Sequence, residues 1–130
     1  MLFGGYIIVI LVHLGLFYVD SILHLYIMVI RSDVYIKWVN GLRDERAKAC
    51  IYTRIHRLTN GNPGDVKPVG EGISEMRINY GPGYRVYYKD TGTEIIILLC
   101  GGDKSTQKQD IIKAKEIAAQ YRKGELTWKM

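Results

Sequence analysis

The segment that most constrains the fold is ISEMRINYGPGYRVYYKD, residues 73–90. Side chains two residues apart share one face of a strand, and this segment alternates on both sides of a central Gly81-Pro82-Gly83. Glycine and proline supply the backbone angles of a tight reversal. We therefore predict a β-hairpin. Its predicted core face consists of Met76, Ile78, Val86 and Tyr88.

The opposite face of this hairpin is polar. Arg77 on the first strand and Arg85 and Tyr87 on the second all point to that face in the predicted alternation. The two arginines meet only if the strand register places them side by side, and alternation alone leaves the register open.

Two amphipathic helices precede the hairpin. Ser32 is the predicted cap of the first helix, which ends at Gly41. Either Arg43 or Asp44 opens the second helix, which ends at Asn60-Gly61. Because each helix has one apolar stripe, we expect the two to form an antiparallel hairpin packed on one face of a sheet.

The segments around the two helices and the hairpin are predicted to form two more strands and a loop. Residues 28–31 form a short strand candidate, and NPGDVKPVGEG at 62–72 is predicted to be a Gly- and Pro-rich loop. The run EIIILLC at 94–100 is typical of a strand that is central or covered on both sides, and Gly101-Gly102 is predicted to break it.

The chain closes with a predicted helix over 108–123, for which Thr106 and Gln109 resemble a capping box. The resulting order is β-α-α-β-β-β-α. This order predicts a small α+β domain with a mostly antiparallel sheet.

The first 27 residues differ sharply from the rest. They are almost entirely apolar, without the basic flank of a membrane anchor or the cleavage site of a signal peptide. We interpret residues 1–27 as an apolar leader outside the functional domain, which spans 28–130. The alternative is a true membrane anchor, and no membrane partner is expected unless this leader is translated.

Charge and cysteine content narrow the classes of partner. Residues 28–130 contain all 18 Lys and Arg and all but one of the 13 Asp and Glu. This excess of basic residues suits a polyanionic partner such as nucleic acid, or an acidic protein segment.

Cys50 and Cys100 are isolated, so we expect buried thiols, no disulfide framework and no metal site or cofactor.

Three stretches together resemble one known family. They are WVNGLRDERAKA, GDVKPVGEGISEMRINYGPGYRVYY and LLCGGDKSTQKQDIIKAKEIA. Their sequence resembles the RelE/ParE superfamily of bacterial type II toxins, most closely the HigB-like branch of addiction-module killer proteins. The resemblance spans residues 28–123 and implies a RelE-like fold.

The resemblance also implies an activity and partners. It implies a cytoplasmic toxin that binds the ribosome and cuts mRNA there without a metal, which stops translation. The ribose 2′-OH would attack the adjacent phosphate and leave a 2′,3′-cyclic phosphate and a 5′-OH. A cognate antitoxin, of helix-turn-helix type, would bind and silence the toxin.

Four residues match positions implied to be catalytic. Arg85 falls on the family's catalytic-arginine position, and Arg77 on a basic strand position that would act electrostatically. Lys104 lies where the family keeps a basic residue near the scissile phosphate. Glu75 departs from the lysine common in RelE. It is predicted to be either a general base or the partner of a cross-strand salt bridge.

Four other residues are predicted to bind RNA. Lys67 is a candidate contact for the RNA backbone, and Tyr87 for stacking on a base. Arg54 and Arg57 belong to a basic helical surface that either grips ribosomal RNA or is simply solvated. The last helix of RelE carries an early catalytic tyrosine, and this sequence has Asp110 in that neighbourhood instead.

Two other functions remain open at this point. One is a non-enzymatic poison of DNA gyrase, as in the ParE branch, which would rely on exposed helix surface. The other is an inactive homologue that only binds its antitoxin. Basic residues on the polar face of the hairpin favour the endonuclease.

Overall fold

The computed structural model describes residues 28–92 and 95–123. The predicted leader at 1–27, the predicted strand start at Glu94 and the tail containing Trp128 lie outside these ranges. The described chain forms five strands, three α-helices and one 3-10 turn. In chain order these are β1 (Met28–Arg31), α1 (Asp33–Gly41), α2 (Glu45–Thr59), β2 (Val66–Gly70), β3 (Ile73–Ile78), β4 (Tyr84–Asp90), β5 (Ile95–Asp103), the 3-10 turn (Lys104–Thr106) and α3 (Gln107–Lys123).

The strands form one sheet in the order β1-β5-β4-β3-β2. Only the β1–β5 pair is parallel, and the other three neighbouring pairs are antiparallel. The predicted α+β class with a mostly antiparallel sheet is therefore confirmed. The predicted element order lacked β2, because VKPVG was assigned to a loop on its Gly and Pro content. Pro68 is compatible with β2 because β2 is an edge strand.

Local capping explains where the first two helices begin. The Ser32 side chain accepts a hydrogen bond from the Tyr35 amide at 3.0 Å. Asp44 caps α2 by accepting from the amides of Arg46 and Ala47. Both helices end as the sequence predicts, at Gly41 and just before Asn60. These caps satisfy backbone donors that a helix start otherwise leaves unpaired.

The α1–α2 hairpin covers one face of the sheet, as predicted. The core on this side includes Met76, Ile78, Val86 and Tyr88 from the hairpin, together with Tyr35, Val39, Ile51 and Leu58 from the helices and Ile96 and Leu98 from β5. The predicted core face of the hairpin is thus confirmed.

Helix α3 covers the opposite face. Its Ala114, Ile117 and Ala118 pack with Tyr87 and with apolar side chains of β3 and β5. Strand β5 is therefore covered on both sides, as its unbroken apolar run predicts. The same packing places α3 over the polar face that carries Arg77 and Arg85.

Two local predictions at the end of β5 are wrong. The strand continues through Gly101-Gly102 to Asp103 instead of breaking there. A Cβ on Gly101 would lie 2.2 Å from ring carbons of Trp38, so glycine allows the indole to lie against the strand. The Thr106–Gln109 capping box is also absent, since the Thr106 hydroxyl donates to the Asp110 carboxylate at 2.5 Å and Gln109 is exposed.

Within residues 28–92 and 95–123, no helix combines the length and the apolar character needed to span a membrane.

Candidate functional site

The register of the central hairpin brings the two predicted catalytic arginines together. Arg77 on β3 lies directly opposite Arg85 on β4. One pair further along, Glu75 lies opposite Tyr87. Residues directly opposite on neighbouring strands share one face of the sheet, so all four side chains are on the face that α3 covers.

Glu75 occupies the centre of this group and is fully buried. Its Oε1 atom lies 3.1 Å from Arg77 Nε and 3.6 Å from Arg85 Nε. Its Oε2 atom accepts hydrogen bonds from the Tyr87 hydroxyl at 3.0 Å and from the Gln107 side-chain amide at 2.8 Å. One oxygen therefore faces two cations, and the other faces two neutral donors.

These contacts determine the charge state of Glu75. Burial alone would raise the pKa of the carboxyl, because it disfavours the charged form. The hydrogen bonds from Gln107, Arg77 and Tyr87, together with the charge of Arg85, outweigh burial and hold the pKa below its ordinary value. Glu75 is therefore an anion paired with both arginines, which is the salt-bridge alternative of the two predicted for it.

The same geometry argues against Glu75 as a general base. Both oxygens are engaged, the side chain is buried, and a lowered pKa makes a carboxylate a weaker base. The carboxylate contacts the arginines and supports them from beneath the exposed surface.

Both arginines direct Nε towards Glu75, and Arg85 is held in addition through Nη1. Arg77 donates to Glu75 through Nε, and its side chain is one-third exposed. Arg85 is more buried. Among the described residues its Nε has no hydrogen-bond partner, and it forms an ion pair with Glu75. A guanidinium has five N–H donors in a planar fork, so its terminal nitrogens can still bind a carboxylate or phosphate.

The turn between β3 and β4 brings Lys104 to the same place. Arg85 Nη1 donates to the Gly83 carbonyl at 3.0 Å. A Cβ on Gly83 would lie 3.5 Å from Arg85 Nη1 and also 3.5 Å from the Lys104 side chain. Gly83 has a φ of 79°, a conformation that glycine adopts without strain. Lys104 and Arg85 therefore pack around one glycine, and Lys104 itself is exposed.

Lys67 lies at the edge of this cluster. It is exposed on β2 and is the cross-strand partner of Glu75. We define the cationic cluster as Arg77, Arg85, Lys104 and Lys67. The two arginines contact the buried Glu75, Lys67 lies opposite it on β2, and Lys104 lies beside Arg85 at Gly83. The basic groups of the cluster come from β2, β3, β4 and the 3-10 turn, so the fold assembles it from segments that are distant in sequence.

The predicted stacking role of Tyr87 is wrong. Its ring is completely buried against α3, so a base has no access to it. Burial and the hydrogen bond to Glu75 raise the pKa of its hydroxyl, which remains a neutral donor. The sequence pattern missed this because alternation identifies a face without showing that a helix covers it.

Arg54 also differs from its predicted role. Its guanidinium donates to the carbonyls of Arg77, Pro63 and Asp65, and it thereby fixes the loop before β2 to the end of β3. A side chain used in this way has few donors left for RNA. Arg57 remains exposed, beside an open groove of about 400 Å³ between α2 and the segment Ile78–Tyr80.

Gln107 is the residue of this site that sequence reasoning missed. It is separated from Glu75 by 32 positions, and its segment was interpreted only as a helix start. No local pattern signals such a contact, because it depends on how α3 crosses the sheet.

Comparison with known proteins places the chain in a family. Residues 37–123 match the family model described as "Phage derived protein Gp49-like (DUF891)". An uncharacterized protein of Haemophilus influenzae (strain ATCC 51907 / DSM 11121 / KW20 / Rd) is 56% identical over 81 residues, which cover 62% of this chain and 82% of the relative. No solved structure matches the chain. The chain belongs to the phage-derived Gp49-like (DUF891) family, a toxin-like family of the RelE/addiction-module type.

Proposed function

We propose that this protein is the toxin of a type II toxin–antitoxin pair and cuts mRNA on the ribosome, as a HigB-like enzyme of the RelE/ParE superfamily. Family membership supports the toxin assignment. The observation that supports RNA cleavage is the pairing of Arg77 with Arg85 above a buried Glu75, next to Lys104.

The proposed reaction needs charge stabilisation above all. The 2′-oxygen forms a bond to the adjacent phosphorus while the bond from phosphorus to the 5′-oxygen breaks. The proton of the 2′-hydroxyl passes to water, and the leaving 5′-oxygen takes a proton from water. The products are a 2′,3′-cyclic phosphate and a 5′-hydroxyl. Negative charge grows on the phosphate oxygens in the transition state, and preorganised donors stabilise it there. The terminal nitrogens of Arg85 and Arg77 supply such donors in this proposal.

Other members of the cationic cluster have supporting roles in the proposal. Lys104 lies beside Arg85 at the Gly83 turn and would interact with the scissile phosphate. Lys67 would contact the RNA backbone along β2, and Arg57 would contact ribosomal RNA from α2. Such contacts with phosphates contribute affinity without reading sequence.

The proposed partners are a cognate antitoxin, the ribosome and its mRNA. The antitoxin follows from the family, and the ribosome and mRNA follow from the proposed reaction.

The experiment is to add the full chain to a translating extract and map mRNA ends by primer extension. Cuts within translated codons, with 2′,3′-cyclic phosphate ends, would support the proposal. Intact mRNA together with inhibited supercoiling by purified gyrase would instead support a ParE-like poison. Intact mRNA with active gyrase, but with binding to the antitoxin, would indicate an inactive homologue.

A further inference from the structure

Gln107 connects the start of α3 to the centre of the cationic cluster. Its amide nitrogen lies 2.8 Å from Glu75 Oε2, and Gln107 follows immediately after the 3-10 turn that carries Lys104. Gln107 is neutral and contacts Glu75, so we do not assign it a catalytic role.

The two oxygens of the Glu75 carboxylate have different partners. With Gln107 and Tyr87 both bonded to Oε2, only Oε1 is presented to the arginines. Loss of one neutral donor would let the carboxylate turn and offer both oxygens to a single guanidinium, which is the geometry that carboxylates and arginines prefer. That turn would separate the two arginines and redirect their terminal nitrogens.

We infer that Gln107 is a positioning residue, which acts through Glu75 to hold Arg77 and Arg85 in place for a phosphate. This inference rests on the proposed function for its consequence, since the arginines would then bind RNA. The positioning itself is a property of the protein alone and is measured without RNA.

The charge state of Glu75 provides a specific readout. The groups that face it are Arg77 on its own strand, Arg85 and Tyr87 on β4, Lys67 on β2 and the neutral Gln107 on α3. A hydrogen bond to a carboxylate favours the charged form. Replacing Gln107 by an apolar residue should therefore raise the pKa of Glu75.

The test compares the full chain with its Gln107→Leu variant, and Gln109→Leu is the control because Gln109 is exposed on the same helix. We expect the pH midpoint of the Glu75 carboxyl carbon signal to rise by about one unit, from the loss of one charge-assisted hydrogen bond. We also expect the Nε–Hε NMR signals of Arg77 and Arg85 to shift in Gln107→Leu and not in Gln109→Leu.

The inference is overturned if either the Glu75 midpoint or the two arginine signals stay at their wild-type values. Gln107→Asn serves as a second variant if Gln107→Leu does not fold, because it keeps the polarity of the residue and is one methylene too short to reach Glu75. Cleavage of mRNA in a translating extract is measured in parallel. Absence of cleavage by the wild-type protein argues against the proposed function and leaves both NMR readouts interpretable.

Discussion

Arg77 and Arg85 lie directly opposite each other on neighbouring strands, and both approach the same oxygen of the buried Glu75. Two like charges facing each other across a sheet normally destabilise it. Here one carboxylate compensates both, so the pair is kept together, and of the terminal nitrogens Arg85 Nη1 donates to the Gly83 carbonyl. This arrangement concentrates positive charge at a defined point on the covered face of the sheet.

The first prediction concerns the stability that Glu75 provides. In Glu75→Gln, the arginines lose their counter-charge, and the new amide nitrogen would face the donors of either Tyr87 and Gln107 or the arginines. Removing one partner of a buried ion pair costs about 3–5 kcal/mol. We expect a loss of that order in urea denaturation, whereas Glu116→Gln on the exposed side of α3 should change stability little. Equal effects of the two variants would contradict the central role of Glu75.

The second prediction is a pH dependence. The pKa of Glu75 is lower in the folded chain than its ordinary value of 4.5, so the unfolded chain binds more protons between the two values. Stability from this group is complete above pH 4.5 and is lost as the pH falls through the folded pKa. Below pH 4.5, the stability of the wild type should therefore fall more steeply than the stability of Glu75→Gln. Parallel acid profiles in urea titrations would exclude this linkage.

The third prediction tests the close approach of Trp38 to β5. A Cβ at Gly101 would lie 2.2 Å from ring carbons of the rigid indole, so Gly101→Ala should destabilise the chain by about 1–3 kcal/mol through overpacking. Gly41→Ala is the matched control, because a Cβ at Gly41 would meet nothing within 4 Å. Thermal denaturation of both variants decides the point, and an unchanged melting temperature for Gly101→Ala would contradict the packing.

The fourth prediction separates two arginines of α2. Arg54→Gln should lose about 1–3 kcal/mol of stability, because backbone carbonyls near β2 lose a charged donor. Arg57→Gln should remain within about 0.5 kcal/mol of wild type, since Arg57 is exposed. If Arg57 contacts ribosomal RNA as proposed, the affinity of Arg57→Gln for that RNA should fall less steeply as salt is added. The difference in slope should correspond to about one phosphate contact. The reverse ranking of the two stabilities would contradict their assigned roles.

The parts of the fold that depend on local patterns could be predicted from sequence. Alternation predicted the two faces of the hairpin, and Ser32 marked the start of α1 because caps are local chemistry. The start of α2 was left open between Arg43 and Asp44, and the structure shows that Asp44 is the cap. Strand β2 was missed because its pairing with β3 outweighs the local effect of Pro68. An edge position makes that proline acceptable, and edge positions are not visible in a local pattern.

The site was harder to predict because it depends on tertiary packing. Arg77, Arg85 and Lys104 were identified from residue type and resemblance, yet their convergence depends on the strand register and on the turn at Gly83. Tyr87 was assigned to the surface because nothing in its own strand indicates that α3 covers it. The roles of Gln107 and Arg54 arise from contacts across 32 and 23 positions, which periodicity does not encode.

The measurement that tests the central claim most directly is mRNA cleavage in a translating extract by the full chain and by Arg85→Gln. Arg122→Gln is the control, because Arg122 is exposed on α3. We predict that wild type and Arg122→Gln cut mRNA within codons, and that Arg85→Gln, still folded by circular dichroism, cuts at least about 100-fold more slowly. Absence of cleavage by the wild type, or wild-type cleavage by Arg85→Gln, would contradict the account.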